Sequence, residues 1–372
     1  MTPISESAPH IYLSALPFAP EHSLVAEKFS SRFPNTLTVT EGRPAQWPFT
    51  LFTAEHDEDS VDCLAFSPDE KTFASISYRN VYIYDSETGH LISGPFEHEP
   101  YSSPEYACFS PNGTHILVRY GNSGIVWDIE RGEKQFRIEG RHSAFIQSGR
   151  WRGSIVSIHR IDASSILVKL WDVENGTPKS STLFEVMDAG VAQFSPDGRF
   201  LAVGRESEEV TELWNVEDGK NTRRFPYPPD HLKSLHFSPT SDILMAAFWK
   251  PEHICVWQLD TQEMAYFSVG IGRIPPAVIR GPSTSHLFIP RIDRVEIWEV
   301  SMTSSHMIFE AKPPITSWIT SICPSRDGHR ILVGSGDGTV RMWDVNLARN
   351  NHNLRRYLER ALHSRHDEHP VQ

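Results

Sequence analysis

The stretch "GSGDGTVRMWDVN", Gly334 to Asn346, ends a glycine-rich turn in the strand-forming run "VRMWDV", closed by a Trp-Asp pair. The same slot recurs upstream. It reads "VEIWEV" at Trp298, "ICVWQL" at Trp257, "TELWNV" at Trp214, "VKLWDV" at Trp171, "GIVWDI" at Trp127 and "VYIYDS" at Tyr84. Successive anchors are 43, 44, 43, 43, 41 and 45 residues apart, a fixed period of the kind that marks a repeat architecture. The anchors therefore predict seven units.

A second mark keeps the same phase. A strand end and turn stand 18 to 20 residues before the anchors as "LAFSPDE" at Phe66, "ACFSPNG" at Phe109, "AQFSPDG" at Phe194, "LHFSPTS" at Phe237 and "ICPSRDG" at Pro324. The units ending at Trp171 and Trp298 carry blurred versions, "GRWRGS" at Trp151 and "VIRGPS" at Ile279. Ser-Pro-Asp-Gly favours a tight turn, and the flanking runs alternate apolar with polar or are apolar throughout. Each unit then reads as a small antiparallel sheet that cannot bury both faces alone. Such sheets stack around an axis, and closing the ring leaves only short, protected edges.

With 35 Lys and Arg against 47 Asp and Glu, the chain of 372 residues has a net charge of −12 and a pI near 5.8. That balance argues against a general nucleic-acid binder, which needs a basic face to displace counterions. Cys63, Cys108, Cys255 and Cys323 fall inside strand patterns with no C-x-x-C pair, so they read as small buried apolar residues in a reducing compartment. "HIYLSALPFAP" is short and broken by Pro17, and no run approaches the roughly 18 apolar residues a membrane span needs. The expectation is a soluble protein of the cytoplasm, with the nucleus as alternative, and no membrane partner. "NGT" at Asn112 and Asn175 matches a glycosylation acceptor, but both sit at turn positions of the repeat.

No catalytic constellation emerges: there is no G-x-S-x-G, no H-E-x-x-H and no cysteine with an evident histidine partner. "EHDED", Glu55 to Asp59, reads as a solvated acidic loop between repeats. The reading is a chain that is not an enzyme and needs no cofactor. After the last anchor, Leu354, Tyr357, Leu358, Ala361 and Leu362 share one helical stripe, which predicts a short amphipathic helix. His363, His366 and His369 with Asp367 and Glu368 make a poor metal site in a tail without supporting groups.

With its anchors in view, the chain resembles WD40-repeat proteins over roughly 290 residues. The resemblance implies an all-β, seven-bladed propeller over residues 46–346, with an extension over 1–45 and a helical tail over 347–372. In that family the repeats are offset from the blades, so the last unit needs its outer strand from elsewhere. "WPFTLFTAEH", Trp47 to His56, is the natural donor. The family's buried network of His, Ser or Thr, Asp and Trp is incomplete in every unit. His56, His98 and His142 stand at or near the His slot without a clear Asp, while Ser335, Asp337 and Trp343 lack the His. Half-satisfied networks contribute little, so strand packing must carry more of the fold.

The stretch "HIYLSALPFAP" with "FPNTLTVTEGRPAQWP" looks like the segment that joins the nucleotide-binding region to the WD repeats in NACHT-type receptors of mushroom-forming fungi, the NOD-like class. That likeness covers residues 10–56 and implies a ligand-sensing module. No G-x-x-x-x-G-K-[ST] run accompanies it, and "GSGDGT" at Gly334 lacks the lysine that would reach a phosphate. The divergent repeats weigh against a recently duplicated recognition array.

Six positions before each Phe mark, the family places the start of the innermost strand, at the channel entrance on the narrow face. Counting back gives Ser60, Ser103, Phe145, Asp188, His231, Arg273 and Trp318. The marks that set Phe145 and Arg273 are the two blurred ones. Trp and Arg are the types most enriched in interface hot spots. This ring is the expected site for a protein or peptide partner, on a chain acting as a monomer or within a larger complex. The competing reading packs the aromatics into neighbouring loops and leaves His231 and Asp188 as plain surface.

Overall fold

A computed structural model describes residues 50–55, 59–97, 103–140, 143–146, 152–160, 165–187, 191–205, 207–227, 231–248, 253–261, 263–267, 277–280, 285–300, 305–311 and 317–345, with residues 19, 26, 37, 39 and 189. The described elements are all strands. β2 to β5 form one four-stranded sheet over 61–97, β6 to β9 the next over 104–139, and β10 to β13 a third over 143–186. β14 to β17 (192–226), β18 to β21 (232–267) and β22 to β25 (277–311) follow in the same way. One further sheet has the order β1-β28-β27-β26, joining β1 (Thr50–Glu55) to β26 (Ile319–Pro324), β27 (Arg330–Ser335) and β28 (Thr339–Asp344).

The expectation of a seven-bladed propeller needs correcting here. Six blades, not seven, are built from consecutive strands. The remaining sheet is composite, because the repeat ends one strand before the sheet does and the last repeat lacks its fourth strand. Ala26 and Val345 are the helical residues among those described and no helix is delimited there, while the stripe 354–362 with the tail histidines lies outside the described residues. Residues 52–343 form one compact unit; residues 1–51 with 344–372 form the other, of which few are described.

The sequence explains the blades strand by strand. In β3 (Thr72–Ser77) and β4 (Asn80–Asp85) nearly every residue is buried, as strands covered on both faces must be. The outermost strands, such as β9 (Glu133–Glu139) with "EKQFRIE", are mostly exposed and charged, which blunts an otherwise open sheet edge. The core lies between sheets rather than at the centre. Ile76, Ile83 and Phe96 of one blade pack with Phe109, Ile116 and Trp127 of the next, and similar clusters join further neighbours round the ring. Phe73 and Tyr84 pack with Val340 and Met342, so the composite sheet closes on the first blade. Gly198 shows how tight the joints are: its φ is +69°, and a Cβ there would lie 2.6 Å from the Ile146 Cα of the preceding blade.

His56, His98 and His142 lie outside the described residues, but the anchor tryptophans find other partners. Trp171 Nε1 donates to Ser157 Oγ at 2.7 Å, and that hydroxyl lies 3.0 Å from His159 Nε2. Trp214 Nε1 donates to Glu212 at 3.1 Å and Trp298 Nε1 to Glu296 at 3.3 Å. Arginines back both carboxylates. Arg291 grips Glu296 through two bonds of 2.9 and 2.8 Å, while Arg205 and Arg224 flank Glu212 at 2.8 and 3.2 Å. In these two blades a carboxylate backed by guanidinium, rather than serine and histidine, meets the indole. The indole nitrogens of Trp127 and Trp257 have no partner among the described residues, so there packing alone holds the anchor.

Candidate functional site

The innermost strands β2 (Val61–Phe66), β6 (Pro104–Phe109), β14 (Ala192–Phe194), β18 (Leu232–Phe237) and β26 line a cavity of about 420 Å³. It is bordered by Asp62, Glu105 and Thr320 near the strand starts and by Pro68, Pro196 and Arg326 in the turns after the strand ends. The cavity thus runs the length of the strands as a central channel. Its two ends differ in chemistry.

At the strand-start end, four of the ring positions read from the sequence occupy equivalent places. Ser60, Ser103, His231 and Trp318 each immediately precede the first residue of an innermost strand, at β2, β6, β18 and β26 respectively. Trp318 is 59% exposed, and Ser103 and His231 are also exposed, while Ser60 is half-buried. Asp188 and Arg273 lie outside the described residues. Phe145 does not belong to this surface: it is the last residue of β10 (Ser143–Phe145), is 0% exposed and packs with Leu117, Val126 and Ile155. The bond from Ile146 N to Ser154 O closes its hairpin, as Ser67 N to Thr72 O and Ser195 N to Phe200 O close others. Phe145 therefore occupies the Phe-mark position itself. A longer turn in this blade carried "GRWRGS" past the strand end and shifted the count.

The register shows what the count missed. The turn between the second and third strands returns to the strand-start end, because Val61 pairs with Ser77 and Ile319 with Ser335. Those turns carry Tyr78, 38% exposed, and Ile292, 78% exposed. Ile319 N donates to Ile292 O at 2.9 Å, and Gly336 N donates to Trp318 O at 2.9 Å. The Trp318 ring lies over Gly336, where an added Cβ would stand 2.8 Å from Cε2. Ile292, Trp318 and Tyr78 thus form an exposed apolar arc over three successive sheets. Tyr78 and Ile292 each stand six residues before an anchor, a count that could have found them.

Below the arc the channel mouth is acidic. Neighbouring innermost strands are tied here: Thr320 Oγ1 donates to Val61 O, and Cys63 Sγ to Pro104 O at 3.4 Å. Glu105 is paired by Arg119 at 3.3 Å, and that guanidinium lies 5.3 Å from the centre of the Tyr106 ring. Asp62 has no such partner among the described residues. Burial raises its carboxyl to about 6, and the negative charge of Asp59 adds to the shift. Deeper in the channel, burial lowers His236 to about 4, and its Nε2 lies 2.8 Å from Ser234 Oγ. Burial also raises the thiols of Cys63 and Cys323 to about 12 and that of Cys108 to about 11, so they remain protonated and poorly nucleophilic. Among the described residues no cluster of His, Cys, Asp and Glu is arranged to hold a metal, and no helix is long and apolar enough to cross a membrane.

The family model "WD domain, G-beta repeat" matches residues 49–85 and 305–344, which include the composite sheet, β2 to β4 on one side of it and β25 on the other. Over those two segments the chain matches the WD40 repeat. WD repeat-containing protein 1 of Mus musculus is 33% identical over 98 residues, covering 26% of this chain and 16% of that protein. Nuclear distribution protein nudF of Aspergillus niger is 21% identical over 322 residues, covering 83% of this chain and 65% of that one. The chain therefore spans less than two thirds of the length of either relative. A chain in a solved structure titled "Crystal Structure of Mitotic Checkpoint Complex" superposes with a TM-score of 0.58 at 16% identity, covering 83% of this chain and 95% of that one. At that identity the likeness concerns the fold. None of the similar proteins named here shows the NACHT-type resemblance of residues 10–56.

Proposed function

We infer that this WD40 propeller is a non-catalytic platform that binds a protein or peptide across the strand-start end of its channel. The observation that carries the reading is the exposed arc of Ile292, Trp318 and Tyr78 over three adjoining sheets. Large exposed apolar side chains at one end of a channel, with a polar surround, are the composition of an interface centre. Ser60, Ser103 and His231 supply that surround, with Asp188 and Arg273 as its further members by sequence position. The solved relative's title names a complex, which agrees with an assembly role without identifying this chain's partner.

The test is a quantitative pull-down from the source cytosol, comparing wild type with a Trp318→Ala, Ile292→Ser variant whose circular dichroism and melting are unchanged. Selective loss of one or two proteins, at least about tenfold, is expected from removing an aromatic anchor. Equal recovery of every protein from both baits would contradict the site.

A second reading, a ligand-sensing module of a fungal NACHT-type receptor, is favoured only by the stretch at 10–56. Sequencing upstream of the coding region decides it: an in-frame NACHT-type region supports the sensor reading, and its absence removes it.

A further inference from the structure

We propose that the channel mouth between β26, β2 and β6 seats one basic side chain, lysine or arginine, of an extended partner segment whose neighbouring apolar residue lies on Trp318. The proposal rests on the platform reading and adds the chemical class of its anchor.

Charge at the mouth carries the argument. Three carboxylates approach it, Asp59, Asp62 and Glu105, and the guanidinium inside, Arg119, is already engaged by Glu105 and the Tyr106 ring. Asp62 is half-buried, lines the cavity, and has neither hydrogen-bond nor ion-pair partner among the described residues. A half-buried carboxylate beside a like charge is unfavourable unless a cation is supplied, and burial by a partner would sharpen that need. The groups facing it are Asp59 ahead of it, Glu105 and Arg119 from β6 and β7 (His115–Tyr120), and the uncharged Cys63 and Tyr120. None of these supplies a free positive charge.

Geometry gives the approach. Trp318 is two residues from Thr320, whose hydroxyl touches the Val61 carbonyl next to Asp62. A segment crossing Trp318 therefore brings its neighbouring side chain over the carboxylate. Lysine and arginine both reach: an ammonium or guanidinium on a three- or four-carbon stem enters while the stem packs against the arc. Acid should release it. Because Asp62 titrates near 6 in the free protein and the bound cation would lower that value, binding is full above about 6 and weakens as pH falls below it toward the lower value of the complex. His236, titrating near 4, stays neutral over the same range.

Immobilised pentapeptide pools, random except for a central Arg, Lys, norleucine or Glu, would be presented to the full chain. The Arg and Lys pools should retain the protein roughly tenfold better than the norleucine pool at pH 7.5, as a charge-assisted contact predicts, and lose the advantage at pH 5. Asp62→Asn should abolish the advantage, Asp62→Glu should keep it, and Trp318→Ala should weaken every pool. Asp62→Asn removes a charge that burial disfavours, so its melting should match or exceed wild type; if it does not, the comparison of Asp62→Glu with wild type across pH decides instead. A basic preference that survives in Asp62→Asn overturns the proposal. Equal capture by all pools, still lost in Trp318→Ala, overturns the basic seat and leaves the platform reading standing. No capture by any pool, or capture indifferent to Trp318→Ala, counts against both.

Discussion

Deleting residues 46–55 is expected to lower the stability of the protein by about 5 kcal/mol, far more than the trimming of an unpaired chain end. The segment contains β1, the fourth strand of the composite sheet. Phe52 stacks on Phe73 with ring centres 5.9 Å apart and lies so close to Gly89 that a Cβ there would meet it at 2.5 Å. Ala54 is buried in the same cluster as Tyr84, Val340 and Met342. Losing a packed phenylalanine alone costs about 3–5 kcal/mol, and the deletion also strips the hydrogen bonds along one side of β28. Equilibrium urea unfolding followed by fluorescence measures it. A loss under about 1 kcal/mol would mean that the ring does not depend on this strand.

Replacing Glu212 by alanine is expected to cost about 3 kcal/mol, the low end for stripping one partner from a buried ion pair. Its side chain is 4% exposed, lies between the guanidiniums of Arg205 and Arg224, and accepts the Trp214 indole N–H. Truncation would take the acceptor from the Trp214 indole and the central negative charge from both guanidiniums. Because Arg224 is about half exposed, water can recover part of its share, which is why the low end applies. Glu208 bridges the same two arginines from the surface, and Glu208→Ala should cost less than about 1 kcal/mol. Urea midpoints of the two variants make the comparison. Near-equal costs would show that the network, and not surface pairing, had been misjudged.

How far the sequence reveals these features depends on what each one rests on. The anchors Tyr84 to Trp343 were legible because each closes the third strand of its sheet, where one face-specific aromatic recurs at fixed spacing. Phe145 was misplaced because a longer turn let Trp151 imitate the strand end, an error that only the bond from Ile146 to Ser154 corrects. Tyr78 and Ile292 were in phase with the anchors, but nothing in their own residue types says that the turn bearing them comes back beside Trp318. That depends on strand pairing, which follows from register rather than composition. The carboxylates Glu212 and Glu296 each stand two before a tryptophan, yet their role appears only when arginines distant along the strand or in the turn fold against them. Seven anchors suggested seven like units; the offset of the repeat leaves six blades of consecutive strands and one sheet shared between two segments.

The most direct test of the account asks which end of the channel meets the partner. A photo-crosslinking benzoylphenylalanine would replace Trp318 at one end and Arg326, an exposed turn residue at the other, in otherwise wild-type protein within the source cells. The account predicts a discrete crosslinked protein from position 318 and none from 326. The same product from both positions, or from 326 alone, would contradict it.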